Sequence, residues 1–421
     1  MRRVYLTAME WEEQDARCYR PGLISRTVLL MALLLTILPA SHLFGSDLET
    51  RIQSASTLQT FDTHGGLIKS MRVASTSVAI RSVRNDSTIV TVYNTSGSQL
   101  FTRSLPNSDH PPIADITMSA DGRTLLIMEE EDQEWDWKQV VYGIDGVFRF
   151  ELSLDAQLVP SPTGRYFGIS YNDIMRPRFA VYDSSGVQLP LSIPGLYEWR
   201  CRFVGDETFV VANRDSVWFV DITQSVVTSS HPLGREIFES PPIIKTSSEG
   251  GVVAIYNYDH LMTFTDGGQL LWSDSFGDCL GGVTIDDKGE WLALQFYHRG
   301  DHDGHLTIVP VQSPQERTVS GAIPELNNCI FRNDDVSWFH DGLVTLLLPL
   351  TAELGSLYDD IEYRTLMFSF DRESRLLGAP ITVSGLFHPT GAPDQAANRF
   401  LRYDSNNTLT ITEMPEADNQ R

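Results

Sequence analysis

The chemistry-bearing residues of this chain gather in a few short segments. His298-Arg299-Gly300-Asp301-His302-Asp303-Gly304-His305 places imidazoles and carboxylates in one stretch, and both are ligands for Zn²⁺ or a similar divalent ion. If a metal binds there, His302, Asp303 and His305 are its ligands; a solvated polar loop accounts for the same residues, since a hairpin seldom fixes three ligands without support. The run from Glu129 to Trp137 combines six carboxylates with two indoles. Its Glu130, Asp132, Trp135 and Trp137 suit a cationic peptide, a sugar stacked on the aromatic faces, or Ca²⁺ held by oxygens. They equally suit an exposed acidic hairpin whose tryptophans cover a neighbouring element. Tyr358, Asp359 and Asp360 repeat the acidic and aromatic mixture, and Tyr171 opens another polar segment. No other cofactor chemistry is expected, and catalytic residues are not identifiable. The chain lacks a Gly-x-Ser-x-Gly elbow, a His-Glu-x-x-His pair, a Walker loop and a Cys-x-x-Cys pair.

The elements that carry these segments recur about every forty residues, which is the signature of a repeat architecture. Short apolar runs alternate with period two, as in Phe179-Ala180-Val181-Tyr182 and Leu306-Thr307-Ile308-Val309, so they read as strands. One turn class is Ser119-Ala120-Asp121-Gly122, Ser161-Pro162-Thr163-Gly164 and Asp286-Asp287-Lys288-Gly289. A second runs from an apolar residue to a Gly: Tyr93-Asn94 to Gly97, Tyr142-Gly143 to Gly146, Tyr182-Asp183 to Gly186 and Phe264-Thr265 to Gly268. Degenerate forms stand at Asp221 with Gln224 and at Asp371 with Ser374. Gly supplies the positive φ such turns need, and Asp or Asn bonds the backbone two residues on. Module starts near residues 71, 113, 157, 200, 242, 283, 329 and 385 predict an all-β β-propeller of four-stranded antiparallel blades, seven or eight in number, with eight favoured. The last module is short of an outer strand. Residues 57 to 70 can supply it, closing the ring with strands from both termini and leaving no open edge.

The turns resemble the TolB-type, WD-like propeller repeat of bacterial extracytoplasmic proteins, whose Ser-Pro-Asp-Gly turn is echoed at Ser119 to Gly122 and Ser161 to Gly164; they are also similar to quinoprotein-type repeats. The resemblance implies the fold and carries over no catalytic residue. The vicinal cysteine pair of quinoprotein alcohol dehydrogenases is missing.

Strand parity assigns the segments a place. In a blade that runs up, down, up, down, the first and third connections share a face, and these are the Gly turns. The second connections and blade links lie opposite: Glu129 to Lys138, Tyr171 to Arg178, His298 to His305, Leu350 to Arg364 and Ser230 to Pro242. Variable loops on a rigid scaffold commonly hold binding groups. The expected function is a non-catalytic binding or assembly scaffold whose partner sits on this loop face. The alternative is a propeller hydrolase or lyase acting on carbohydrate through carboxylates from several blades.

Residues Val28 to Leu38 form an apolar run flanked by Arg20 and Arg26 and followed by Pro39-Ala40-Ser41. This reads as a signal peptide, or as an uncleaved anchor if extended through Phe44. The expected layout is an N-terminal extension with signal or anchor over 1–45, a linker over 46–56, the propeller over 57–415 and a disordered tail over 416–421. The expected location is extracytoplasmic, periplasmic or secreted. The 421-residue chain has a net charge of -23; without residues 1–45 it carries 27 basic and 51 acidic side chains. Such a field repels nucleic acid and anionic lipid. The expected partner is therefore a protein or a carbohydrate bound by a monomer, with membrane contact only through an anchor. Cys201, Cys279 and Cys329 follow the apolar run; an odd number excludes a disulfide framework as the basis of stability, and Cys279 with Cys329 is the pair expected if one forms.

Overall fold

The computed structural model describes residues 54–413, less the connecting segments 62–65, 85, 108–111, 133–135, 154–157, 170–178, 194–198, 234–241, 250, 258, 278, 298–303, 324–336, 341–342, 352–362, 378–379, 385, 390–398 and 404–408. Within them the chain forms eight antiparallel sheets, the blades of a β-propeller; the first seven run outward in chain order from the innermost strand. Blade 1 is Leu67–Val73, Ser77–Val83, Ser87–Asn94 and Gln99–Pro106; blade 2 is Ile113–Met118, Thr124–Asp132, Asp136–Gly143 and Phe148–Ser153. Blade 3 has three full strands, Leu158–Pro160, Tyr166–Ile169 and Val181–Asp183, and a single bridge from Tyr182 to Gln188 in place of the fourth. Blades 4 to 7 open at Arg200, Ile243, Cys279 and Ser337. The only helical element among the described residues is one 3₁₀ turn, Pro314–Glu316.

Burial explains this order. The strand Ser87–Asn94 is buried at six consecutive positions, because a middle strand is covered by the blades on both sides. The outer strand Gln99–Pro106 alternates between exposed and half-buried residues. The core therefore lies between blades. Ala79, Val90 and Val92 of blade 1 pack on Ile113, Ile116, Leu125 and Ile127 of blade 2, and clusters of the same kind join successive blades through to blade 7.

The eighth sheet is built from both ends of the chain. Leu386–Pro389, Arg399–Tyr403 and Leu409–Glu413 form its inner three strands, and Ser56–Phe61 pairs antiparallel with Leu409–Glu413 as the outermost. The strand expected from residues 57 to 70 is thus shorter, and Leu67 already opens blade 1. Phe61 and Leu409 pack with Val78, Ile80 and Tyr93 of blade 1, so the eighth blade abuts the first. Phe61 meets Tyr93 with ring centroids 5.2 Å apart, and the next outer strand repeats the contact as Phe101 on Tyr142, also at 5.2 Å. The terminal strand therefore does what every outer strand does for the following blade.

The turns follow the anticipated chemistry. At Asn94 to Ser98, the Gly97 N–H donates to Asn94 O and the Asn94 N–H to Ser98 O, with a register shift at Val92/Tyr93. This is a tight turn closed by a bulge with its Gly at a φ of 79°. Where Gly is absent, Ser225 and Ser374 take positive φ at 55° and 57°. The first of these corrects the expectation of Gln224: the turn is set one residue later, with the Ser225 N–H donating to Ile222 O. Turn glycines also let blades approach one another. A methyl group at Gly164, φ 66°, would stand 2.7 Å from Cβ of the buried Thr124 in blade 2, whereas one at Gly205, φ 74°, would meet nothing within 4 Å.

Two stability measurements test this account. Phe61→Ala is expected to cost about 3–5 kcal/mol in denaturant unfolding, the usual loss for a buried Phe, and a surface-like cost below about 1 kcal/mol would show that the terminal strand does not close the ring. Gly164→Ala carries both left-handed strain and overpacking, about 2–5 kcal/mol together, while Gly205→Ala carries the strain alone, about 1 kcal/mol; equal costs would refute the close-approach role.

Candidate functional site

The second and third strands of blade 2 extend beyond the body of the sheet and carry the acidic segment. Glu129 pairs with Lys138, Glu130 with Trp137 and Asp132 with Asp136, with a register shift between Glu130 and Asp132. The stretch expected as an irregular loop is thus largely a β-hairpin, in which only 133–135 lie outside the described residues. Its connection is the second of its blade, which by strand parity puts it on the face opposite the Gly turns.

One of the six carboxylates is withdrawn from any ligand. Glu129 follows Leu125 and Ile127 on the flank that faces blade 1, and its side chain is only 3% exposed. Arg103, on the outer strand of blade 1, reaches across: Nη2 donates to Glu129 Oε2 at 2.8 Å, and Nε donates to Oε1. The same guanidinium lies 5.7 Å from the Tyr142 ring centroid. The hydrogen bond to Glu129 holds the Arg103 pKa above its ordinary value, and burial, followed by the Glu129 charge, pushes the Tyr142 phenol up. This bidentate pair anchors the hairpin at its root. Lys138 Nζ adds a contact at 3.4 Å to Glu151 on the outer strand of the same blade. Beyond these, Glu130, Glu131, Asp132 and Asp136 lie on the two paired strands of the hairpin, with the half-buried Trp137 opposite Glu130. Chemically this is a concentrated negative charge beside an indole, suited to holding a cation.

The remaining sequence-derived candidates are dispersed. Trp135, Tyr171, Tyr358, Asp359, Asp360, His302 and Asp303 lie outside the described residues. His305 opens the third strand of blade 6 and stacks on Phe296, centroids 4.7 Å apart at 17°. Among the described residues, no three His, Cys, Asp or Glu side chains stand together as a metal site. Cys201 and Cys279 are free thiols on innermost strands. Burial pushes the Cys201 thiol far above its ordinary pKa, and its S–H donates to Ile169 O at 3.0 Å. Cys329, the partner considered for Cys279, lies outside the described residues.

Sequence reasoning overlooked Arg103. The signal was an acid at the third place of a buried alternation, Leu125, Ile127, Glu129, which demands a cation from the adjoining blade.

No protein-family model and no curated protein matches this chain. Among solved structures it is similar to Sqt1 of Chaetomium thermophilum, with a TM-score of 0.51 and 14% identity, over 86% of this chain and 98% of that one. BamB from Moraxella catarrhalis gives a TM-score of 0.46 and 11% identity, over 86% of this chain and 100% of that one. The likeness to Sqt1 shows the β-propeller fold.

Arg103→Leu strands a buried carboxylate and is expected to cost about 3 kcal/mol, most of which adding Glu129→Leu should restore, since replacing both partners removes the unpaired charge. Chemical denaturation of the two variants checks this. A double variant no more stable than Arg103→Leu would show that the pair is not the hairpin's anchor.

Proposed function

We propose that this chain is an exported, non-catalytic propeller scaffold that binds a protein partner through its loop face, with the acidic hairpin of blade 2 as a principal contact. One observation carries the reading: the segment densest in carboxylates and indoles is a strand extension rooted by an interblade ion pair. Pre-organisation of this kind lowers the ordering cost of binding. The charge selects the partner. A body of net charge -23 repels acidic proteins at long range, and Glu130, Asp132 and Asp136 concentrate that field, so the complementary surface is basic and offers Lys or Arg to the carboxylates and to Trp137. Export rests on the Val28 to Leu38 run and on the resemblance of the Ser119 to Gly122 and Ser161 to Gly164 turns to TolB-type repeats. Catalysis on carbohydrate has no comparable support: Glu129, the carboxylate at the hairpin root, is engaged with Arg103.

The test is affinity capture from the native envelope fraction with the wild-type chain and with a Glu130→Gln/Asp132→Asn/Asp136→Asn variant. A stoichiometric basic protein retained by the first and lost from the second is the expected result. Equal retention by both would remove the hairpin from the interface, and glycan enrichment without protein would overturn the scaffold reading.

A further inference from the structure

The face of the Gly turns holds a second site, independent of the reading above. Between blades 2, 3 and 4 the first-connection turns, with Arg149 of the outer strand of blade 2 and Ser184 of the third connection of blade 3, line an open depression of about 630 Å³. Arg123, Arg149 and Arg165 all line it, in a chain whose net charge is -23. Two carboxylates, Asp121 and Asp206, line it as well, which leaves the arginines in excess by one charge, and three of the four carboxylate oxygens accept hydrogen bonds within and between the turns. Asp121 Oδ1 accepts the Ser119 hydroxyl at 2.6 Å and the Arg123 N–H at 3.0 Å. Asp206 accepts the Thr163 N–H at 3.0 Å and its hydroxyl at 2.6 Å, tying blade 4 to blade 3.

The guanidiniums are engaged far less. Arg123, 77% exposed, has its Nε 3.9 Å from Asp121 Oδ2, beyond hydrogen-bond length. Arg149 makes one bond, from Nη1 to Thr124 Oγ1 at 3.0 Å. Arg165 rests 5.8 Å from the Tyr166 ring centroid. A guanidinium has five N–H donors in a fixed fork, so most of the donor capacity in the depression is open to a ligand. Elsewhere on the same face a comparable arginine is spent: Arg375 donates to Asp371 Oδ2 at 2.7 Å and lies 2.9 Å from Glu373 Oε2.

We propose that the Arg123–Arg149–Arg165 depression binds a dianionic phosphoryl group. Tetrahedral oxyanions match guanidinium forks, and several forks around one site favour a doubly charged group over a single carboxylate. The depression exceeds what one inorganic ion fills, which leaves room for the organic part of an ester. Ser184 also lines the depression.

Titration of the full chain in about 150 mM salt, where nonspecific surface attraction is largely screened, is followed by the ³¹P resonance of two probes, inorganic phosphate and glucose 6-phosphate. Saturable binding is expected for at least one probe, weakened roughly tenfold or more by Arg123→Gln/Arg165→Gln and unchanged by Arg375→Gln, which removes a charge from the same face. Tighter binding of the ester identifies an ester site, and equal binding identifies a free-oxyanion site. A response that does not saturate, or that Arg375→Gln reduces as much as the double variant, overturns the proposal.

Discussion

A ring of sheets is stable only if its last member is fastened to its first, and here one strand does the fastening. Ser56–Phe61 hydrogen-bonds to the C-terminal strand Leu409–Glu413 and inserts Phe61 beside Tyr93 of blade 1. Without it, the eighth sheet would present an unpaired edge and the flank of blade 1 would lose its apolar cover. Every other interblade cluster follows the same pattern, with side chains of one blade packed on the middle strands of the next. The turn glycines complete it by permitting backbone and side chain to meet where a methyl group would intrude.

Much of this was legible in the sequence. Turn chemistry is local: Asn94 to Gly97, Ser119 to Gly122 and Ser161 to Gly164 each announce a reversal within four residues, and the spacing of such turns located the innermost strands at Ile113, Leu158, Arg200 and Ile243 within a residue of expectation. The terminal closure was legible too, because a sheet short of a strand and an unassigned strand elsewhere have one economical solution. What escaped was non-local. The partnership of Arg103 with Glu129 depends on which flanks of two blades face each other, and no turn signal encodes that. The shift of the left-handed residue from Gln224 to Ser225 is local but small. It follows from a turn that admits Ser where its relatives have Gly, so the position carries no conspicuous residue. The candidates His302, Tyr171 and Tyr358 to Asp360 were chosen for chemistry alone, and their segments lie outside the described residues.

Strand parity gives the two faces different characters. The loop side bears an acidic hairpin whose root holds the ion pair of Arg103 with the buried Glu129. The turn side is built of short, hydrogen-bonded reversals, and among them one depression gathers three arginines against two carboxylates. A propeller separates such surfaces by its full thickness, so occupation of one leaves the other free.

The shared eighth blade also bears on when the fold can form. Ser56 and Glu413 are register partners at opposite ends of the described residues, so the first of the described strands to be synthesised finds its place last among them. Seven blades can assemble as they emerge, through hairpins that close over short distances, but the closing pairing must bring the two ends together across nearly the entire domain. Until the C-terminal strand is complete, Ser56–Phe61 remains an unpaired strand. The molecule therefore reports its own completeness: a chain truncated near its C-terminus lacks the partner that Phe61 and its strand require, and its ring stays open.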